Sequence, residues 1–182
     1  MPLMGIVRIT LATFVLILFG TVTAQADTIY VSIRGMKQGP FKGEILQEGV
    51  KGSKIAGLKF HYAVVSPRDL ATGMATGKRQ HKPVTITKEW GAASPQLFQA
   101  LVTNEVLPEV VIDFVGVDPK GAMTLSHSIK LTNAFISDIS HSTEPIAIGG
   151  IRHLEDVSFT FQKIELLDVR SNTMAMDDRT LP

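Results

Sequence analysis

The sequence contains no cysteine, so disulfides and thiolate metal ligands play no part in its stability or chemistry. It also lacks a basic surplus, because 18 Lys and Arg are matched by 17 Asp and Glu in a chain of 182 residues. A protein that follows nucleic-acid phosphates normally carries such a surplus, so nucleic acid is not an expected partner. Hydrophobic residues make up 45% of the chain, which is enough for one core and excludes a disordered protein.

Signatures of catalysis are absent as well. The five histidines are scattered, without an HExxH motif or a pair at helical spacing, so they predict no zinc site. Ser126-His127-Ser128 lacks the G-x-S-x-G elbow of a hydrolase, and Gly77-Lys78-Arg79 lacks the glycine spacing of a phosphate-binding loop. The sequence therefore predicts a protein that is not an enzyme and that binds no metal or cofactor.

The N-terminal segment has the pattern of a secretory signal peptide. Arg8 provides a positive charge, residues 9–19 form an apolar run, and Ala24-Gln25-Ala26 has the small-x-small form of a cleavage site. The run is shorter than the ~20 apolar residues that span a membrane. We therefore predict a signal peptide over residues 1–26, export to the periplasm or the extracellular space, and no membrane partner after cleavage. Loss of Arg8 leaves 17 Lys and Arg against 17 Asp and Glu, so the mature chain 27–182 has no net charge.

A strand, a helix and a second strand are predicted between residues 83 and 115. Val84 and Ile86 alternate with threonines, which predicts a strand over 83–90 with one apolar and one polar face. The same alternation predicts a strand over 109–115. Between them Ser94 is the predicted N-cap, and Pro95 suits the first helical position. The helix, around residues 94–103, carries an apolar stripe made of Leu97, Ala100 and Leu101.

Alternation in other segments predicts further strands at 28–35, 58–65, 129–136 and 157–164. Within the last two, the apolar residues change from odd to even positions. The change falls between Leu131 and Ala134 in one strand and near Gln162 or Lys163 in the other, and we expect a β-bulge at each place. Such bulges help a short sheet to curl.

The predicted fold is mainly β: an antiparallel β-barrel of two curled sheets with one short flanking helix. The barrel is expected to occupy residues 27–169 as a single domain, since the glycines and prolines are spread between short apolar runs without a linker. The remaining residues, 170–182, are polar and are predicted to be a disordered tail.

The order of these motifs resembles the haemolysin-coregulated protein family, the tube-forming proteins of the type VI secretion system. The matching residues are Gly77-Lys78 and His81-Lys82-Pro83 before a threonine-rich strand, then Ser94-Pro95 at the start of a helix that contains Leu97. The opening strand with its turn at Gly35, and the two closing strands, extend the resemblance over nearly all of residues 27–169.

The resemblance implies a homohexameric ring that stacks into a tube, with effector proteins in the lumen and other type VI secretion components as partners. The polar segment 66–82 resembles the protruding loop of the family. As ring-to-ring contacts it implies four candidates, namely Arg68, Asp69, Arg79 and His81. Members of the family ordinarily leave from the cytoplasm without a cleaved signal, so the predicted signal peptide departs from the family pattern.

A second interpretation follows from the signal peptide. The chain could be an exported β-barrel binding module that recognises a small ligand, a glycan or a partner protein without assembling into a tube. The basic residues of 78–82 are also compatible with a solvated loop that has no partner.

Overall fold

The structure, a computed structural model, describes residues 27–45, 54–118, 121–147 and 149–180. The predicted signal peptide lies outside these ranges. No helix in the described ranges is long and apolar enough to cross a membrane. The elements in chain order are β1 (Thr28–Gly35), β2 (Gly39–Pro40), β3 (Ile55–Gly57), β4 (Lys59–His61), β5 (Val64–Val65), β6 (Gln80–His81), β7 (Val84–Glu89), α1 (Ser94–Val102), β8 (Leu107–Val117), β9 (Met123–Pro145), β10 (Ile151–Thr160), β11 (Lys163–Asp168) and β12 (Thr173–Asp178).

The main sheet is antiparallel and curls on itself. Its strands run in the order β2-β1-β8-β9-β10-β7-β4, while β3 pairs with β1, and β11 pairs with both β9 and β12. Among the described strands, no pairing joins β4 back to β1, and the chain itself makes this connection. Leu58 links β3, which lies on β1, to β4, which lies on β7, and its N–H donates to the Thr87 carbonyl at 2.7 Å. The structure confirms the mainly β, antiparallel prediction with one flanking helix.

The long strand β9 carries the first predicted change of register. Its inward residues are Ile129 and Leu131 before Asn133, and Ala134 and Ile136 after it. Asn133 has a positive φ of 48°, which changes the buried positions from odd to even between Leu131 and Ala134 as predicted. The β-bulge expected at this place is absent, because Thr132 and Ala134 keep one pairing register with Glu109 and Leu107 of β8. The register shifts of β9 lie instead beside Phe114 and Phe159.

The second predicted change, near Gln162, takes a different form. We expected a bulge within one strand, but the structure has two strands, β10 and β11, separated at residues 161–162. Both lie along the same edge of β9, and the Asn133 amide donates to the Gln162 side-chain oxygen at 2.9 Å. The two neighbouring strands therefore bend together at one corner.

The core fills the space inside the curled sheet. Leu97 and Ala100 of α1 are buried against it, and Leu101 is partly buried, which confirms the predicted apolar stripe. The gap that remains among Val31, Ile86 and Phe159 has a volume of about 10 Å³. A space of this size holds at most one water molecule. Around Val31, Ile86 and Phe159 the interior of the barrel is therefore a packed core and not a channel.

Two local predictions need correction. Ser94 does not cap α1: it is the first helical residue, after Ala93, and its side chain makes no capping hydrogen bond. The predicted strand 58–65 is two short strands, because β4 pairs with β7 whereas β5 leaves the barrel to pair with β6.

The tail 170–182, predicted to be disordered, contains strand β12. It pairs with β11 over six residues, from Lys163–Asp178 to Asp168–Thr173. The tight turn between them is stabilised by the Asp168 carboxylate, which accepts the Ser171 N–H at 2.9 Å, and by Asn172 at a positive φ of 52°. The folded domain therefore extends beyond residue 169.

Candidate assembly surfaces

A hairpin projects from one end of the barrel, and we call residues 64–82 the arm. Its base is the two-residue ladder of β5 and β6, and a further bridge joins Arg68 to Ala75. Residues 68–80 are all exposed. The arm leaves the barrel after β4 and returns just before β7 begins. It therefore stands at the end of the barrel where β7 starts.

The tip of the arm is ordered by its own hydrogen bonds. The Asp69 carboxylate accepts the N–H groups of Ala71 at 3.0 Å and Thr72 at 2.7 Å. These bonds, first that of the Thr72 N–H, lower the pKa of Asp69. Arg68 donates to the Gly73 carbonyl at 3.1 Å. The backbone of this turn is thus held in one shape by residues of the turn itself.

Two apolar side chains are displayed by this turn. Leu70 is fully exposed and Met74 is 70% exposed. A preorganised turn loses little conformational entropy when it binds, so it is a favourable contact element. A protruding apolar side chain on such a turn has the form of a knob that fits a hollow on a partner.

The base of the arm is fixed by a cluster that we call the clasp, made of Tyr62, Arg79, His81 and Asp177. His81 lies between Tyr62 and Asp177, with Nδ1 2.6 Å from the Tyr62 hydroxyl and Nε2 2.8 Å from the Asp177 carboxylate. Arg79 donates through Nε and Nη2 to both oxygens of the same carboxylate. This two-pronged contact is the strongest geometry for an arginine and a carboxylate.

The clasp changes the electrostatics of its members. The hydrogen bonds from Arg79 are the largest cause that holds the pKa of Asp177 below its ordinary value, and the bond from His81 adds to it. The same contact raises the pKa of Arg79. Burial, and after it the negative charge of Asp177, raises the pKa of Tyr62. The carboxylate is therefore held in its charged form at neutral pH.

The structure divides the four predicted contact residues into two pairs. Arg68 and Asp69 lie at the tip, whereas Arg79 and His81 lie at the base and bind Asp177. Asp177 is not among the residues predicted from the sequence as contacts, because it lies in the segment predicted to be disordered. The turn-forming sequence Arg170-Ser171-Asn172, between two short alternating segments, is the signal that could have indicated a hairpin there.

A hollow lies at the opposite end of β7, where that strand runs into Trp90. Three of its lining residues are apolar, with Trp90 57%, Ile151 58% and Ile146 38% exposed, and three are polar, namely Glu89, Arg152 and His153. Glu89 and Arg152, which also line the hollow, form an ion pair at 2.9 Å. The arm and the hollow therefore occupy opposite ends of the same strand.

A buried ion pair ties the helix to the sheet. Lys88 and Glu155 have side chains that are 3% and 1% exposed, and their charged atoms lie 2.8 Å apart. The Ser94 hydroxyl donates to Glu155 at 2.6 Å and accepts the Gly91 N–H at 2.9 Å. The serine and the lysine are both buried, and their hydrogen bonds go to Glu155 and to the backbone of this corner. Among the described residues, no three His, Cys, Asp or Glu side chains converge as metal ligands.

Removal of one partner of this pair should be costly. We expect Lys88→Met to lower the free energy of unfolding by about 3–5 kcal/mol, because it leaves the Glu155 carboxylate buried without its cation. The double variant Lys88→Met/Glu155→Leu should recover most of that loss. Chemical denaturation followed by circular dichroism measures both. Lys130→Met, which removes an exposed partner of Glu109, is the matched control and should change stability by less than about 1 kcal/mol. A Lys88→Met variant as stable as this control would contradict the assigned role.

Comparison with known proteins agrees with this architecture. A sequence profile of the family described as "Type VI secretion system effector, Hcp" matches residues 30–167. A protein of Pseudomonas aeruginosa described as "Major exported protein" is 35% identical over 170 residues, which is 87% of this chain and 98% of that protein.

Solved structures show the same fold. The secreted protein Hcp3 of Pseudomonas aeruginosa is 31% identical, with a TM-score of 0.67 over 84% of this chain and 98% of its own. A crystal structure described as that of Hcp protein has a TM-score of 0.76 at 23% identity, over 84% of this chain and 99% of its own. The chain belongs to the Hcp family of type VI secretion proteins, in which it is a structural subunit of the tube.

Proposed function

We propose that the mature chain assembles into a homohexameric ring and that these rings stack head to tail to form the secretion tube. Because core side chains fill the barrel, the lumen of such a tube lies between subunits and not within one. Effector proteins travel in that lumen, and the tube meets the other components of the type VI apparatus at its ends. Zero net charge on the mature chain removes overall repulsion between subunits.

The observation that carries the stacking proposal is the difference between the two ends of the barrel. One end bears the arm with its exposed Leu70 and Met74, and the other end bears the hollow beside Trp90. Contacts between unlike surfaces repeat without limit when they are stacked along one direction. In the proposed stack, Leu70 and Met74 of one ring enter the hollow beside Trp90 of the next.

The four contact residues proposed from the sequence take different parts in this stacking. Arg68 and Asp69 shape the tip and present its apolar side chains to the next ring. Arg79 and His81 act at the base, where they hold the arm against Asp177. Polar contacts at the rim of the hollow, where Glu89 and Arg152 lie, would add specificity more than affinity.

Leu70→Asp should abolish stacking and leave the ring intact. The change removes the apolar side chain that contacts Trp90, Ile146 and Ile151 and adds a negative charge beside Glu89, with which Arg152 is already paired. We therefore expect tube formation to fall by roughly tenfold or more. Sedimentation and negative-stain imaging of the assembled protein measure this loss. Thr76→Asp places the same charge on the exposed stem of the arm and is the matched control, with tubes expected at the normal level. Normal tubes from Leu70→Asp would contradict the proposed contact.

We further propose that the chain is exported with cleavage of residues 1–26. The supporting pattern is the charged, apolar and small-x-small order that ends in Ala24-Gln25-Ala26. The product is a periplasmic or extracellular protein that begins at Asp27. Export of this kind would let the subunit assemble outside the cytoplasm.

Cleavage can be measured directly by intact mass. Full-length protein produced in a Gram-negative host should be recovered from the periplasm or medium with residues 1–26 removed. Ala26→Asp, which introduces a charged residue at the cleavage position, should leave the segment attached. Recovery of uncleaved wild-type protein from the cytoplasm would contradict this proposal.

A further inference from the structure

Strand β12 lies beyond the residues that the family profile matches. That match ends at residue 167, and β12 begins at Thr173. The strand pairs with β11 alone among the described strands, so its other edge contributes to no described ladder. One of its residues, Asp177, nevertheless contacts the arm through two side chains that lie 96 and 98 positions earlier in the sequence.

Within the described part of the chain, few other contacts fix the direction of the arm. Its ladder consists of two residue pairs, Val64 with His81 and Val65 with Gln80. Val64 and Val65 are 53% and 46% exposed, so little apolar burial supports that ladder. An isolated two-stranded hairpin is marginally stable in water. The position of the arm must therefore depend on contacts made by the side chains at its base.

Those contacts converge on the Asp177 carboxylate. His81 is 5% exposed at its side chain and is enclosed by Tyr62, by Asp177 and by the Phe161 ring, whose centroid is 5.5 Å away. Arg79 adds a further hydrogen bond to the Asp178 carbonyl at 3.2 Å. The Asp177 carboxylate thus binds residues at the two ends of the returning strand β6. Arg79 comes just before the strand, and His81 is its last residue.

We propose that β12 is the positioning element of the arm, and that Asp177 sets the direction in which the tip is presented. Asp177 does not itself contact a neighbouring ring. It acts through Arg79 and His81, which it holds against the barrel. Loss of its charge releases the arm, while the barrel and the side-by-side contacts within a ring are kept. The effect on assembly rests on the stacking proposed above, whereas the effect on arm order does not.

Asp177→Asn tests the order of the arm, because asparagine has the same shape but cannot form the charged two-pronged contact. We expect amide hydrogen exchange in residues 64–82 to accelerate by roughly tenfold or more, with exchange in β8 and β9 unchanged. Asp168→Asn is the matched control, since it removes a carboxylate from the same hairpin that contacts the Ser171 turn and not the arm. Arg79→Lys keeps the positive charge but cannot form the two-pronged contact, so it should accelerate exchange in residues 64–82 by an intermediate amount.

Two results would overturn the positioning role. Exchange in 64–82 that is the same in Asp177→Asn as in Asp168→Asn would show that the clasp does not order the arm. Acceleration that extends equally into β8 and β9 would show that Asp177 supports the whole barrel and not the arm in particular.

Assembly provides the second readout. Asp177→Asn should keep the ring mass measured by light scattering and should form at least roughly tenfold fewer stacked tubes than wild type, since the tip is no longer held in place. If wild-type protein forms no tubes, the stacking proposal fails, but hydrogen exchange still decides the role of the clasp. If Asp177→Asn gives a mobile arm and normal tubes, the link from clasp to stacking is wrong.

Discussion

Strand β9 belongs to both halves of the curled sheet, and this sharing constrains the rest of the structure. Over its 23 residues it pairs with β8 along one edge and with β11 and then β10 along the other. Two register shifts adapt it to these partners, one beside Phe114 and one beside Phe159. A continuous strand of this length can serve two sheets only if it bends, and the corner at Asn133 and Gln162 provides the bend.

The bend determines which surfaces of the protein are available for binding. It folds the apolar faces of the sheet onto one another, and α1 adds Leu97 and Ala100 to the same core. With the interior filled, the surfaces that remain for recognition are the two ends and the outer face. The arm at one end and the hollow at the other are the features that differ most from a plain barrel. The function proposed above therefore uses these outer surfaces, through contacts between copies of the chain.

Much of this fold could be predicted from local pattern. The alternation of apolar and polar residues predicts β1, β7 and β8, and Ser94-Pro95 predicts the start of the helix. These features depend only on neighbouring residues, so the sequence is enough to predict them. The change of the buried positions between Leu131 and Ala134 is predictable for the same reason, whereas the pairing register with β8, which depends on a distant strand, does not change there. The family resemblance rested on these elements in their order.

The missed features share a different origin, which is contact between distant residues. Nothing near Asp177 in the sequence indicates Arg79 or His81, and a polar segment that contains methionines resembles a disordered tail until its partner strand is known. The ion pair between Lys88 and Glu155 was missed likewise. On a strand each looks like an ordinary exposed charge, and only the packing of α1 over the sheet buries both. Long-range pairs of this kind depend on topology, which periodicity alone does not encode.

Negative-stain imaging of the purified protein, combined with its mass by light scattering, would show whether this barrel forms the rings proposed for a tube subunit. We expect rings with sixfold symmetry and a mass six times that of the subunit, some of them stacked with one ring end against the unlike end of the next. A species that remains monomeric at high concentration, with no rings in any field, would contradict it.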